Sequence, residues 1–285
     1  MKIIPGLATV AVTGLAVLFA ESQREMHTFR VNRYSVRVPG LSGCRLLFVT
    51  DYHEAVNGKL NPGLLEASRK IRPDLILIGG DLVNGQKPYE NVMPAVELVN
   101  GLADIAPVIY GYGNHERRLM FMSGEEGYDW DGYRAKLDPR VKFLMNDHTS
   151  VTIKGKKAKV YGLDVGYDFY RKHGLTLPVE EINKLLGERE ASLPAILLAH
   201  DPSWFEAYTG WKADLTLSGH YHGGIIRLPV LGGIVNPKFQ PFPKYDYGLY
   251  EKDGRTMLVG SGLGQHTIPV RWFNTPELVA IDLVD

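Results

Sequence analysis

With 285 residues, 45% hydrophobic and 22% charged, the chain has an ordinary globular composition and enough length for one large domain or two small ones. Lys plus Arg and Asp plus Glu number 32 each, so composition implies no bulk attraction to nucleic acid or to an acidic membrane surface. Cys44 is the only cysteine, which excludes an internal disulfide and the cysteine-based zinc motifs; opening an apolar run, it reads as a small buried hydrophobe.

Ile3 to Ala20 carry no charge, follow a single Lys2 and end at Glu21-Ser22-Gln23-Arg24-Glu25. That stretch is about long enough to cross a bilayer core of roughly 30 Å at about 1.5 Å per residue, and long for a signal-peptide apolar region. Pro5, Gly6 and Gly14 weaken it as a soluble helix but are tolerated in membranes. The expected organisation is an uncleaved signal anchor over residues 1–25 and one domain over 26–285. A cleaved secretory signal ending near Ala20 and a peripheral core helix are the alternatives, and the lack of a crisp A-x-A site favours the anchor. Both leading readings put the body outside the cytoplasm, because a short tail carrying Lys2 tends to stay inside.

Alternating apolar residues from His27 to Val38 predict an opening strand with a bulge or turn near Asn32, where the phase slips. A strand over Cys44 to Thr50 follows, then a helix over Pro62 to Ile71 with Asn61 as cap, and a strand over Leu75 to Ile78. A helix over Tyr89 to Leu102 and a strand over Pro107 to Tyr110 complete a βαβαβ series, which implies a parallel sheet. Beyond a glycine- and aromatic-rich segment, Ser123 to Tyr133, the pattern predicts a hairpin over Thr149–Ile153 and Ala158–Leu163. A helix over Val179 to Leu186 and strands over Ala195 to Ala199 and Ala213 to Leu217 come next. Short strands over Tyr247–Glu251, Thr256–Val259 and Leu278–Leu283 close the chain, the first two joined at Asp253-Gly254.

Five of the apolar runs stop at a group able to hold a metal ion: Asp51-Tyr52-His53, Gly80-Asp81, Gly113-Asn114-His115-Glu116, His200, and Gly219-His220-Tyr221-His222. Ligands of open α/β sheets gather beyond the carboxyl ends of the strands, so side chains from five strands can converge on one point. An extended backbone would point Asp51 and His53 the same way, onto one ion. Asp81 follows two glycines that allow a tight turn, and its carboxylate has two oxygens with which to bridge two metals. Asn114 offers a neutral amide oxygen, while His200, His220 and His222 supply imidazoles that suit Zn and Fe, with Mn favouring the oxygens. Singly, each motif reads as a structural turn or a satisfied side chain; together they predict two divalent ions (Mn, Fe or Zn) with open positions for water.

This set resembles the calcineurin-like metallophosphoesterase superfamily over about residues 45 to 222. The tail, with Ser218 to Gly224, Arg227-Leu228-Pro229, Tyr247-Gly248-Leu249-Tyr250, Gly262-Leu263-Gly264 and Pro269-x-Arg271, resembles its membrane-associated bacterial phosphodiesterase branch. The resemblance implies an α/β fold, a two-sheet β-sandwich flanked by helices (αββα). It implies one metal on Asp51, His53, Asp81 and His222, the other on Asp81, Asn114, His200 and His220, and His115 as the catalytic histidine. Tyr52 stands where Leu is common and Tyr221 where Thr is common, changes expected to reshape the pocket.

In such a site two cations about 3.5–4 Å apart lower the pKa of a bridging water, so that hydroxide attacks the ester while the phosphoryl oxygens are clamped. His115 would protonate the leaving oxygen or stabilise the charge of the transition state. The expected protein is a metal-dependent phosphodiesterase, ahead of a monoesterase, at a bacterial cytoplasmic membrane with its domain on the outer side, or secreted if the N-terminus is cleaved. Its partners would be a phosphate-ester substrate, lipid-linked ones included, and the membrane, with no nucleic-acid-binding surface. The alternatives are a pyrophosphatase on lipid-linked or nucleotide substrates and a metal-binding envelope protein without turnover. Gly260 to Gly264 reads as a glycine turn, because Pro269 arrives too soon for a dinucleotide-binding helix. His266 reads as a surface histidine, Pro237 to Tyr245 as loop packing or else an apolar wall beside the metals, and Trp204, Trp211 and Trp272 as core or rim.

Overall fold

In the computed structural model the described residues are 3–171, 175–224, 226–228, 230–236, 239–265 and 270–285, without the side chains of 3–12, 14, 15, 57, 167 and 171. The first half runs α1 (Ile3–Met26), β1 (Arg30–Arg37), β2 (Arg45–Val49), α2 (Asn61–Ile71), β3 (Leu75–Ile78), α3 (Met93–Ala103), β4 (Val108–Gly111), α4 (Asn114–Met122), α5 (Trp130–Ala135) and β5 (Lys142–Leu144). The second half runs β6 (Asp147–Ile153), β7 (Lys156–Leu163), α6 (Tyr167–Arg171), α7 (Val179–Leu186), β8 (Ala195–Ala199), α8 (Phe205–Gly210), β9 (Leu215–Ser218), β10 (Arg227–Leu228), β11 (Gly232–Gly233), β12 (Gly248–Lys252), β13 (Arg255–Val259) and β14 (Glu277–Val284).

Two mixed six-stranded sheets stack face to face, in the orders β1-β14-β2-β3-β4-β5 and β12-β13-β9-β8-β7-β6. The fully buried runs of β2, β3, β4, β8 and β9 are central and pair in parallel, as expected of strands covered on both faces. Leu46, Phe48, Leu75, Leu77 and Ile109 of the first sheet meet Val160, Ile196, Leu198, Leu215 and Leu217 of the second in a shared core. The alternate residues Leu47, Val49, Ile76 and Ile78 face Leu64, Leu98, Val99 and Leu102 of α2 and α3. Likewise Tyr161, Leu197 and Met257 face Ile182, Phe205 and Tyr208 on the other side. The result is the expected αββα layering, in which β2, β3 and β4 run parallel in one sheet and β8, β9 and β13 in the other, while β14 runs antiparallel to β2.

Local expectations change in several places. No bulge interrupts β1, which pairs continuously with β14 from Arg30↔Glu277 to Arg37↔Val284. The apparent slip arises because Asn32 takes an inward position, bonded to Tyr247 Oη at 2.7 Å and to Glu277, while Val31 faces out. Asn61 does not cap α2; its amide accepts from Tyr52 Oη (2.6 Å) and donates to the Pro94 carbonyl (2.9 Å), tying α2 to α3. α3 starts at Met93 rather than Tyr89, with Pro94 in its first turn and the Asn91 side chain accepting from the Met93 N–H (3.2 Å).

Among the described residues no helix is long and apolar enough to cross a membrane. The span expected at Ile3 to Ala20 rests largely on side chains outside the described set, although the helix itself continues to Met26. Its last turns are docked: Ser22, Glu25 and Met26 are buried, and the Leu18 carbonyl accepts from the Trp272 indole at 2.8 Å.

Candidate metal centre

Neighbouring strand ends are laced together by their own backbone. The Asp51 N–H donates to the Gly80 carbonyl (3.0 Å) and the His53 N–H to that of Asp81 (3.1 Å), so the segment after β2 follows the one after β3. Asp51 and His53 do not lie on extended backbone as the Asp-x-His spacing suggested: both are left-handed, with φ of 48° and 42°. Asp81, His220 and His222 share that region at 56°, 67° and 48°. Each such residue costs on the order of 1–3 kcal/mol and persists only where its surroundings over-determine it. Glycines provide the room. A Cβ on Gly80, itself at φ 95°, would lie 2.2 Å from Gly113 N, and one on Gly219 would lie 2.1 Å from an Asp51 carboxylate oxygen.

The side chains these turns deliver converge. Asp51, His53 and His222 place ligand atoms within 4.8 Å of one another, and so do Asp81, His200 and His220. Asp81 also groups with His53 and His115, so it stands between the two sets. The Asp81 carboxylate lies 2.9 Å from His200 Nε2 and 4.0 Å from His53 Nε2. His53 Nε2 and His222 Nε2 are 3.2 Å apart, and His222 Nε2 lies 3.3 Å from an Asp51 oxygen. Ring nitrogens and acid oxygens packed this closely need a proton or cation among them. The Asn114 side-chain oxygen is buried without a hydrogen-bond partner, an unmet acceptor of the kind a hard cation satisfies. This donor set fits divalent ions bound through mixed nitrogen and oxygen ligands.

The electrostatics point the same way. Burial pushes the Asp51 carboxyl up to about 6, with His200 opposing and Asp81 adding to the rise. Burial also works to raise Asp81, yet His200, His115 and His53 pull it well below the ordinary carboxylate range. His200 is disfavoured as a cation by burial, but Asp81 and Asp51 hold it protonated up to about 10. His200 Nδ1 faces the Gly79 carbonyl at 2.8 Å, which assigns the proton there and turns Nε2 into the site. A metal binding Nε2 would displace any second proton.

His115 sits at the second position of α4. Its backbone N–H donates to Asp81 Oδ1 (2.8 Å), and its ring stands 4.7 Å from that of His53, edge-on. Nδ1 bonds the Asn84 carbonyl, leaving Nε2 facing the ligands, 3.9 Å from Asp81.

Several supporting residues were given no role by the sequence reading. Glu116, fully buried, accepts from the N–H groups of Asp81 (2.7 Å), Leu82 (2.7 Å) and Gly113 (3.0 Å) and from Tyr110 Oη (2.7 Å). Its adjacency to His115 was the available signal. The glycine turn proves structural as expected, and it also supports the site: the N–H groups of Leu263 and Gly264 donate to the Asp51 carbonyl at 3.1 and 2.7 Å. Tyr52 does not reshape the cleft, because it turns into the core under α2 and α3. Tyr221 stays beside the site, its ring 5.6 Å from that of His220 and its hydroxyl 2.6 Å from Ser203 Oγ. Trp204 and Trp211 are core, and Trp272 is half-buried. His266 and residues 237–238 lie outside the described residues; beyond them Phe239 and Phe242 are exposed, and Tyr245 packs on Phe205.

Several known proteins are similar to this chain along most of its length. The chain is 27% identical to the uncharacterized metallophosphoesterase YkuE of Bacillus subtilis over 74% of its own length and 68% of that protein. It is 27% identical to the phosphodiesterase YaeI of Escherichia coli K12 over 84% of its length and 82% of that protein. A Caenorhabditis elegans metallophosphoesterase is 27% identical over 77% of this chain and 44% of its own, so the relatives are bacterial and eukaryotic. The model of the calcineurin-like phosphoesterase family matches residues 44–224, the stretch that delivers every convergent side chain described above, and the chain belongs to that family.

Proposed function

We propose that the protein is a two-metal phosphodiesterase whose ions are held by Asp51, His53, Asp81 and His222 on one side and by Asp81, Asn114, His200 and His220 on the other. The observation that carries this reading is the position of Asp81, shared between two groups of ligand atoms. Bound there, two divalent ions (Mn, Fe or Zn) supply positive charge to the phosphoryl oxygens and acidify water near neutral pH. The protein's own groups do the rest. His115, with Nδ1 committed to the Asn84 carbonyl, carries its mobile proton on Nε2 and gives it to the leaving oxygen. Glu116 fixes the Asp81 backbone, and the α4 N-terminus donates to the Asp81 carboxylate, so the shared ligand is oriented before substrate arrives.

A diester preference is supported by the name of YaeI, and a membrane-tethered, extracytoplasmic placement by the uncharged run Ile3 to Ala20. A lipid-linked substrate and a place in the membrane-associated bacterial branch go with that placement. The test is the full chain loaded with Mn²⁺ or Zn²⁺ and offered chromogenic diesters and monoesters in parallel, together with fractionation of cells expressing it. Faster diester hydrolysis and recovery with membranes are expected. No hydrolysis of either ester with metals bound would overturn the enzyme reading, and recovery in the soluble cytoplasmic fraction would overturn the placement.

A further inference from the structure

The end of α1 reaches the metal centre through a short series of hydrogen bonds. Ser22 Oγ accepts from the Arg271 backbone N–H at 3.1 Å, and Glu25 accepts from the Asn274 N–H and Thr275 Oγ1, both at 3.0 Å. These bonds secure the segment 271–275, and the segment holds the ligands. The Asn274 side-chain amide donates to the His222 carbonyl at 2.5 Å. The Arg271 guanidinium, 3% exposed, donates to the carbonyls of Gly264 (2.6 Å), Ser261 (2.9 Å) and Asn274 (3.0 Å), and one of its nitrogens lies 3.5 Å from His222 Nδ1. Gly264 in turn donates to the Asp51 carbonyl. An arginine with this many carbonyl partners cannot leave them without stranding acceptors in the core, so the turn 261–264 and the segment 271–275 behave as one clamp.

The clamp serves one half of the centre. Asp51 and His222 rest on it, whereas the hydrogen bonds that orient Asp81 and His200 come from α4, Glu116 and Gly79. We infer that the last turns of α1, through Ser22 and Glu25, are a positioning element for the metal held by Asp51, His53 and His222, with Arg271 and Asn274 as its positioning residues. The inference rests on the two-metal reading above. It makes α1 a part of the site's support in addition to any tether.

The experiment uses the full chain, stripped of metal, reloaded and dialysed against graded chelator, with metal counted per chain and folding followed by circular dichroism. In the double variant S22A/E25A one of the two ions should be released at about 10–100-fold lower chelator activity, the size expected when a group that orients a metal ligand is lost, while the other is held as in the unchanged protein. Glu25→Gln, which keeps an acceptor oxygen, should recover most of the loss, and adding His222→Ala to the double variant should remove no further ion. Glu21→Ala, altering an α1 residue paired with Arg24, should leave both ions unchanged. Equal weakening of both ions, or of neither in a folded S22A/E25A protein, overturns the inference; where the double variant does not fold, Glu25→Ala and Ser22→Ala singly decide on the same criterion. An unchanged protein that holds no ion overturns the two-metal reading as well, which separates the two failures.

Discussion

The two halves of the metal centre are built from different reaches of the chain. Around Asp81 the supports are close in sequence to the ligands: Asn114, His115 and Glu116 are consecutive, and Glu116 gathers four donors from β4 and from the turns after β3 and β4. Around Asp51 and His222 the supports come from both ends of the molecule, with α1 contributing residues 18–25 and the segments 261–264 and 271–275 closing over them. A compact half supported by one buried carboxylate should fail sharply when that carboxylate is altered. A half held by many bonds from distant segments should loosen by degrees.

The largest effect belongs to the residue the halves share. Asp81→Ala should empty both positions and remove the metals' stabilisation of the transition state, several kcal/mol, on the order of 10³-fold or more in rate. A variant retaining both ions by metal analysis would refute the bridge. His115→Ala comes next, lowering turnover by about 10²–10⁴-fold while metal content stays near that of the unchanged protein. Parallel loss of metal and activity would make His115 a ligand instead, a role its grouping with His53 and Asp81 permits geometrically.

Glu116→Ala should lower stability by about 3–5 kcal/mol, because it strands buried N–H donors and a tyrosine hydroxyl. Denaturant titration checks this, and a loss under about 1 kcal/mol would show that water replaces the carboxylate, as buried waters do for unmet polar groups. The smallest effect concerns Glu277, which receives the Ser261 N–H (2.9 Å) and Tyr247 Oη (2.9 Å) behind the Asp51 half. Burial raises its pKa despite these donors. The folded protein therefore keeps this proton to higher pH than the unfolded chain, where a Glu titrates at about 4.3, so Glu277's contribution is full at low pH and lost as pH climbs from about 4 through the folded value. Glu277→Gln should flatten that fall in denaturant midpoint, and an unchanged slope would place the titration elsewhere.

Much of this was legible in the chain because strands covered on both faces must be continuously apolar. The runs at Leu46–Val49, Leu75–Ile78, Val108–Tyr110, Ala195–Ala199 and Leu215–Leu217 thus announce themselves, and each polar residue at their ends stands out. α7 appears at Val179–Leu186, as its spacing predicts. Less visible were short elements such as α5 and β5, whose few residues carry little periodicity. The inward Asn32 also broke a local rule, because its partner, Glu277, comes from β14 at the far end of the chain.

The sequence by itself determined which strands are central, that their carboxyl ends carry acids, an amide and imidazoles in metal-binding combination, and hence the family. Those properties follow from apolar patterning and local composition, which act within a few residues. Only the tertiary structure decided that five candidate ligands sit in left-handed turns, that Glu116 fixes the backbone of the shared carboxylate, and that α1, Arg271 and Asn274 support Asp51 and His222. Hydrogen bonds between residues some 250 positions apart, such as Ser22 with Arg271 and Glu25 with Thr275, leave no periodic trace in a single sequence, because each partner is ordinary in its own neighbourhood until folding brings the two together.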